Sequence, residues 1–192
     1  DAPASACEPG SGSTIMSYSG ACGPDNLPGV GAADLYYNIC SIVEIRAFVE
    51  TGTGSTCGTT LMLDNHDPIV TISHPDGLFL PISTPFALTG SAVDPDGDAV
   101  TYCWEEADKG PLVSLGQPQG STPIFRTYPP VTSGTRTFPR IQTIVANQSN
   151  VAEILPTYTR DLTFCLTARD NKAGGGGVGV GGVVGVGAPA NV

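Results

Sequence analysis

The sequence predicts a mainly β chain, an antiparallel β-sandwich preceded by a disulfide-bonded segment of loops with one helix. Three observations carry this. The chain has 25 Gly and 17 Pro among 192 residues but only 14% charged residues, a balance that favours strands and turns over helices. From Pro68 onward, short apolar runs recur between Gly- and Pro-rich breaks. Six cysteines, none in a C-x-x-C pair, fit an oxidising compartment better than a zinc ribbon.

The N-terminal segment comes first in that order. Residues 1–33 are rich in Gly, Ser and Pro and read as loop. Residues 33–50 read as one helix. Leu35, Ile39, Ile42, Phe48 and Val49 recur at helical steps, Asp34 supplies an acid at the start, and Gly52 lies just past the end. One helix with loops buries little core, so residues 1–63 are expected either to be the tail of a larger domain or to dock onto the strand region.

The strand region runs from 64 to 173. Residues 69–72, 86–93, 99–105 and 162–170 read as strands. In the last, Leu162, Phe164, Leu166 and Ala168 share one face, and Thr163, Cys165, Thr167 and Arg169 share the other. A turn is expected at Pro75-Asp76-Gly77, and residues 112–156 form a long insert. Residues 174–192 contain the run GGGGVGVGGVVGVG, which reads either as a flexible tail or as a Gly-rich edge strand open to pairing with another chain.

Charge narrows the function classes. A net charge of −10 and an isoelectric point near 4.3 argue against nucleic acid and anionic membrane surfaces as partners, and no apolar run approaches the length of a membrane span. No signal peptide is visible, and Asp1 fits the start of a processed or truncated product.

The stretch Glu8-Pro9-Gly10-Ser11-Gly12-Ser13-Thr14-Ile15-Met16-Ser17-Tyr18 resembles the methionine turn of metzincin zinc peptidases, in the form found in secreted bacterial reprolysin-like enzymes. The Tyr36-Tyr37-x-x-x-Ser41-Ile42 motif fits the helix that closes such a catalytic domain. Asp94-Pro95-Asp96-Gly97-Asp98, Tyr102-Cys103-Trp104 and Arg169-Asp170-Asn171 resemble bacterial immunoglobulin-like modules of the PKD and cadherin-like kind. The resemblance covers nearly all of residues 7–173. It implies a methionine turn at Met16, Ser17 and Tyr18, an immunoglobulin-like sandwich over 64–173, and a secreted, extracellular protein. The zinc helix H-E-x-x-H of the family is absent. His66 and His74 sit in no such pattern, so the chain is expected to be inactive alone, with zinc only in a longer parent protein.

Two functions are consistent with this pattern. The first is the non-catalytic C-terminal region of a secreted zinc metallopeptidase, an accessory or binding module whose partner is the missing catalytic half. The alternative is an extracellular structural or adhesive subunit, open to filament formation with other copies of the same chain. Calcium is the expected cofactor, held by Asp94, Asp96 and Asp98, with Asp170 among the residues that complete the sphere, because hard cations need several oxygens from one compact loop. Asp64, Asn65 and Asp67 form a second polar cluster at the junction, read as a linker. Locality pairs Cys7 with Cys22, Cys40 with Cys57, and Cys103 with Cys165, out of the roughly 15 pairings that six cysteines allow.

Overall fold

A computed structural model describes residues 6–74, 77–182 and 184–188. The expected turn at Pro75 and Asp76 therefore lies outside the described residues. The fold is mainly β, with several sheets and, among the described residues, one disulfide.

The N-terminal segment opens with β1 (Thr14–Ile15), which pairs in parallel with β2 (Asp34–Tyr37), and continues into α1 (Ile39–Glu50). The helix starts later than its apolar spacing predicts, because residues 34–37 alternate with a strand's period instead. Tyr36 is buried between exposed Leu35 and Tyr37, and its hydroxyl donates to Thr127 Oγ1 at 2.9 Å. Asn38 then caps the helix, accepting from the Cys40 amide at 2.9 Å. The end is as expected: the Gly52 amide closes the last turn on the Ala47 carbonyl. The apolar stripe is not buried by this chain. Ile39 alone of the helix is buried, while Val43, Ile45, Phe48 and Val49 face outward.

Two further sheets complete the fold. The first has the order β3 (Ile69–Ile72), β5 (Phe86–Val93), β7 (Thr135–Phe138), all antiparallel. In the second, β8 (Arg160–Arg169) is central. β6 (Thr101–Glu106) lies along one side of it, and β9 (Val178–Val180) and β10 (Val184–Ala188) share the other. β4 (Leu78–Phe79) then joins β10 in parallel. The strands expected at 69–72 and 86–93 fall as read, and those at 99–105 and 162–170 shift by one or two residues at their ends.

The two sheets share one core. Leu88 comes from the first sheet; Trp104, Leu162, Phe164, Leu166, Val184 and Val186 come from the second. The insert contributes Phe125 and Phe138, and with Phe86 and Phe164 these form a cluster of rings with centroids 4.6–6.0 Å apart. The insert is thus part of the core rather than an appended loop. It also carries β7 and the short helix α2 (Ile141–Val145).

The Gly/Val run supplies β9 and β10; β10 is flanked by β4 and β8, and β9 pairs with β8 alone. Close approach explains Gly179: a Cβ there would collide with the Pro68 carbonyl, so β9 passes against the start of β3 only with no side chain there.

β8 is buried on both faces. Its second face, that of Thr163, Cys165, Thr167 and Arg169, lies with β6 under the N-terminal segment. Glu105 Oε2 accepts from the Ile39 amide at 2.8 Å and Oε1 from Thr167 Oγ1 at 2.7 Å, and Arg169 donates to the Tyr37 carbonyl at 2.9 Å. Residues 6–50 therefore dock onto the outer face of the second sheet.

The cysteine pairing differs from the local reading. Cys7 is bonded to Cys40, with 6.5 Å between Cα atoms, while Cys22, Cys57, Cys103 and Cys165 are free thiols. Cys7 reaches Cys40 because the turn region folds back onto the start of α1. Cys103 and Cys165 are neighbours in one sheet, but Cys103 stands opposite Thr167 and Cys165 opposite Glu105. That is a diagonal pair on adjacent strands, not a link between sheets. Trp104, next in sequence, points into the core on the opposite face, so it does not pack on a disulfide.

Candidate functional site

The turn around Met16 is the most tightly organised loop of the N-terminal segment. Glu8 is its hub. Its Oε1 accepts from the Ser13 amide at 3.0 Å and its Oε2 from Thr14 Oγ1 at 2.6 Å. The Tyr18 amide donates to the Ser11 carbonyl at 3.0 Å, and the Ser17 amide to the Thr14 carbonyl at 3.1 Å. Gly12 has φ +68°, and a Cβ there would lie 2.8 Å from the Ser17 side chain and 2.9 Å from Glu8 Oε2. Only glycine fits.

Met16 has φ +78°, a left-handed conformation uncommon for a residue with a side chain. The surrounding hydrogen bonds impose it. Yet the side chain is 74% exposed. A strained backbone here holds an apolar side chain largely out in solvent. Beside it is a cavity of about 330 Å³, lined by Glu8, Ser11, Met16, Tyr18, Asn38 and Glu44. Asn38 is buried, and its Nδ2 has no acceptor among the described residues. Exposed Leu35, Val43, Ile45, Phe48 and Val49 extend the apolar character of this segment. The sequence motif points to Met16, Ser17 and Tyr18. Asn38 gives no sequence signal beyond its place before a helix.

The aspartates of the 94–98 loop have separate partners. Asp94 Oδ1 accepts from the amides of Asp96 and Asp98 at 2.9 and 3.0 Å, forming the turn. Asp96 bonds His66, from the junction, at 3.0 Å, and Asp98 pairs with Lys172 Nζ at 2.7 Å. Hydrogen bonds from the His66 amide and ring hold the Asp96 carboxyl below the usual carboxylate value. Asp170 accepts from Asn65 Nδ2 at 2.6 Å and from the amides of Gly177 and Lys172 at 2.7 and 3.0 Å. Burial pushes Asp170 up, but these donors outweigh it and its value is lowered. The cluster thus knits the junction at 64–67, the 94–98 loop and the β8–β9 connection together. Among the described residues, no group of three or more His, Cys, Asp or Glu side chains is disposed to hold a metal ion. Two oxygens in this cluster, Asp94 Oδ2 and Asn65 Oδ1, are buried with no donor among the described residues.

The histidines do not fit a zinc centre. His66 is taken by Asp96, and His74 Nε2 accepts from the Thr89 amide at 2.7 Å. Zinc needs three or four converging ligands, and among the described residues neither histidine belongs to such a set. The two buried thiols, Cys103 and Cys165, are poor nucleophiles. Burial pushes Cys103 well up and raises Cys165 to about 11, with the Glu105 carboxylate adding to both.

No protein-family model matches the chain, and the comparisons with curated proteins and with solved structures give no match either. Among the described residues, no helix is long and apolar enough to cross a membrane.

Proposed function

We propose that this chain is the non-catalytic C-terminal region of a secreted zinc metallopeptidase. In this reading residues 1–63 complete a catalytic domain whose zinc-binding helix lies on other polypeptide. Residues 64–173 form an accessory immunoglobulin-like module, closed by the Gly/Val strands. The observation that carries the reading is Met16. Its left-handed backbone is fixed by the turn, and its side chain is presented outward beside a cavity with an unmatched donor on Asn38. A methionine that supports zinc ligands from below needs that posture, and the outward face of α1 supplies apolar surface for the same partner. The immunoglobulin-like assignment is supported by the first strand pair, which divides between sheets: β3 pairs with β5, whereas β4 joins β10 in parallel.

The adhesive or filament-forming alternative relies on the Gly/Val run as an open edge. β10 is flanked on both sides by β4 and β8, which leaves only the three residues of β9, paired with β8 alone, for such an edge. Calcium at Asp94, Asp96, Asp98 and Asp170 remains part of the proposal, supported by the unmatched oxygens of Asp94 and Asn65. It requires Asp98 to release Lys172 and Asp96 to release His66. A bound ion at a hundredfold excess over its dissociation constant adds about 2.7 kcal/mol. A melting temperature unchanged by chelator and by millimolar calcium removes the ion from the reading.

The deciding experiment is intact mass and N-terminal sequencing of the natural protein, with the parent transcript read upstream of Asp1. An in-frame H-E-x-x-H segment is expected. A natural chain that starts near Asp1, with no such segment encoded, overturns the proposal.

A further inference from the structure

A second cleft lies on the opposite segment of the chain and does not depend on the methionine turn. Its volume is about 380 Å³, and its lining includes Tyr102, Trp104, Tyr128, Val131, Thr137 and Arg140. That volume falls in the range of ligand pockets. It sits where both large sheets end on the same side, β6 being the last strand of one and β7 of the other.

The two edges are in different states. β6 is blunted. Tyr102 exchanges backbone hydrogen bonds with Val131 at 2.7 and 2.9 Å, and Arg136 caps the Trp104 carbonyl at 2.7 Å. β7 is open over one residue. The Gly90 amide donates to the Gly134 carbonyl, so in this antiparallel register residues 134, 136 and 138 face β5 while 135 and 137 face away from it. Thr135 is served by the Ser133 hydroxyl, which bonds both its amide and its carbonyl. The amide and carbonyl of Thr137 point outward and meet no other strand among the described residues.

The charges above this edge are unequal in the same way. Three guanidinium groups surround the Tyr128 ring, those of Arg126, Arg140 and Arg136, at 4.6, 4.3 and 5.1 Å from its centroid. Arg126 pairs with Asp34 at 3.3 Å, and Arg136 with Glu153 at 2.9 Å. Arg140 is exposed and has no carboxylate within ion-pair distance among the described residues. In a chain of net charge −10, an arginine beside an open strand edge with no ion-pair partner among the described residues is a local exception; its side chain bonds the Tyr128 hydroxyl.

We propose that this cleft binds an extended peptide segment, which pairs with the outer edge of β7 and sets one carboxylate side chain against Arg140. Strand addition supplies the backbone contacts, and the arginine supplies selectivity. The aromatic ring already carries guanidinium groups, so it is not a free platform for stacking a sugar. The peptide carries a single acid among uncharged residues, because a run of acids meets the long-range repulsion of the whole chain.

The test uses the intact chain and a synthetic probe, an acetylated and amidated heptapeptide of alternating Val and Thr with one central Glu. Binding is followed by NMR shifts of the Thr137 and Arg140 resonances at physiological salt. Replacing the peptide's Glu by Gln should weaken binding roughly tenfold, the scale of one charge-assisted hydrogen bond at a part-exposed site. Arg140→Gln should erase that difference without unfolding the chain, since the side chain is exposed. N-methylation of the peptide amides that face β7 should abolish binding of both peptides. Equal affinity for the Glu and Gln peptides, an unchanged preference in Arg140→Gln, or no binding at millimolar peptide overturns the proposal. So does a uronic-acid oligosaccharide that binds this cleft when the peptide does not.

Discussion

Replacing Met16 by glycine separates the two reasons a protein keeps a residue: stability and function. The side chain is 74% exposed, so its removal loses little burial. Its φ of +78° costs a residue with a Cβ about 1–2 kcal/mol. Glycine escapes that cost but brings back about 0.5–1 kcal/mol of unfolded-state entropy. The balance is a stabilisation of about 0–1.5 kcal/mol for Met16→Gly. Met16→Ala keeps the strain and should change stability by less than about 0.5 kcal/mol, as exposed positions do. Urea unfolding at constant m-value measures both. For a chain of this length, about 1 kcal/mol moves the melting temperature by about 2–4 °C. A loss of more than about 1 kcal/mol in Met16→Gly would refute the reasoning. It would mean that the methionine is packed and serves this chain's own stability, not a partner.

Leu166 is fully buried between the sheets, and Leu166→Ala should cost about 2–5 kcal/mol in the same urea assay. Cys57 is exposed and should react with a thiol reagent at once, whereas buried Cys103 and Cys165 should react only after denaturation; rapid modification of either would contradict their place under the N-terminal segment. Glu105 gives a pH signature. Burial raises its carboxyl above the ordinary 4.5, more than the nearby Arg169 guanidinium lowers it. The native state therefore holds this proton to higher pH than the unfolded chain does. Its contribution makes stability fall as pH rises from about 4.5 through the native value. Comparing stability against pH for the native chain and Glu105→Gln isolates that limb, and identical curves would show that Glu105 titrates as if unfolded.

Much of the strand architecture is legible in the sequence because β5 and β8 carry their period in side chains. Leu162, Phe164, Leu166 and Ala168 mark one face of β8, and all four are buried. The features that sequence reading misses have local physical causes. Leu35, Tyr36 and Tyr37 fit a helical stripe and a strand equally well over so short a span; the pairing of Asp34 with Thr14, far away in sequence, decides. The Gly/Val run looks flexible by composition, yet Gly179 is there because Pro68 lies against it. Nor does sequence locality find Cys7 with Cys40, since the pairing depends on the turn region folding back. At the candidate site, the motif shows Met16 but not its exposure. Arg140, an ordinary loop arginine in sequence, becomes distinctive only where its two neighbours are neutralised and it is not.

The second face of β8, half-polar in sequence and buried in the fold, also argues that the two segments are one folding unit. Cys103, Glu105, Cys165 and Thr167 are all buried, and Glu105 and Thr167 are polar. A carboxyl and a hydroxyl without water need partners, and the Ile39 amide is one of them. If residues 6–50 came away, Glu105 would lose that donor and regain water, while Tyr36 would lose Thr127. A module that had evolved to stand alone would show an ordinary polar face there. The buried Glu105 instead ties the start of α1, and with it the turn around Met16 that the Cys7–Cys40 bond holds to that helix, to the second β sheet.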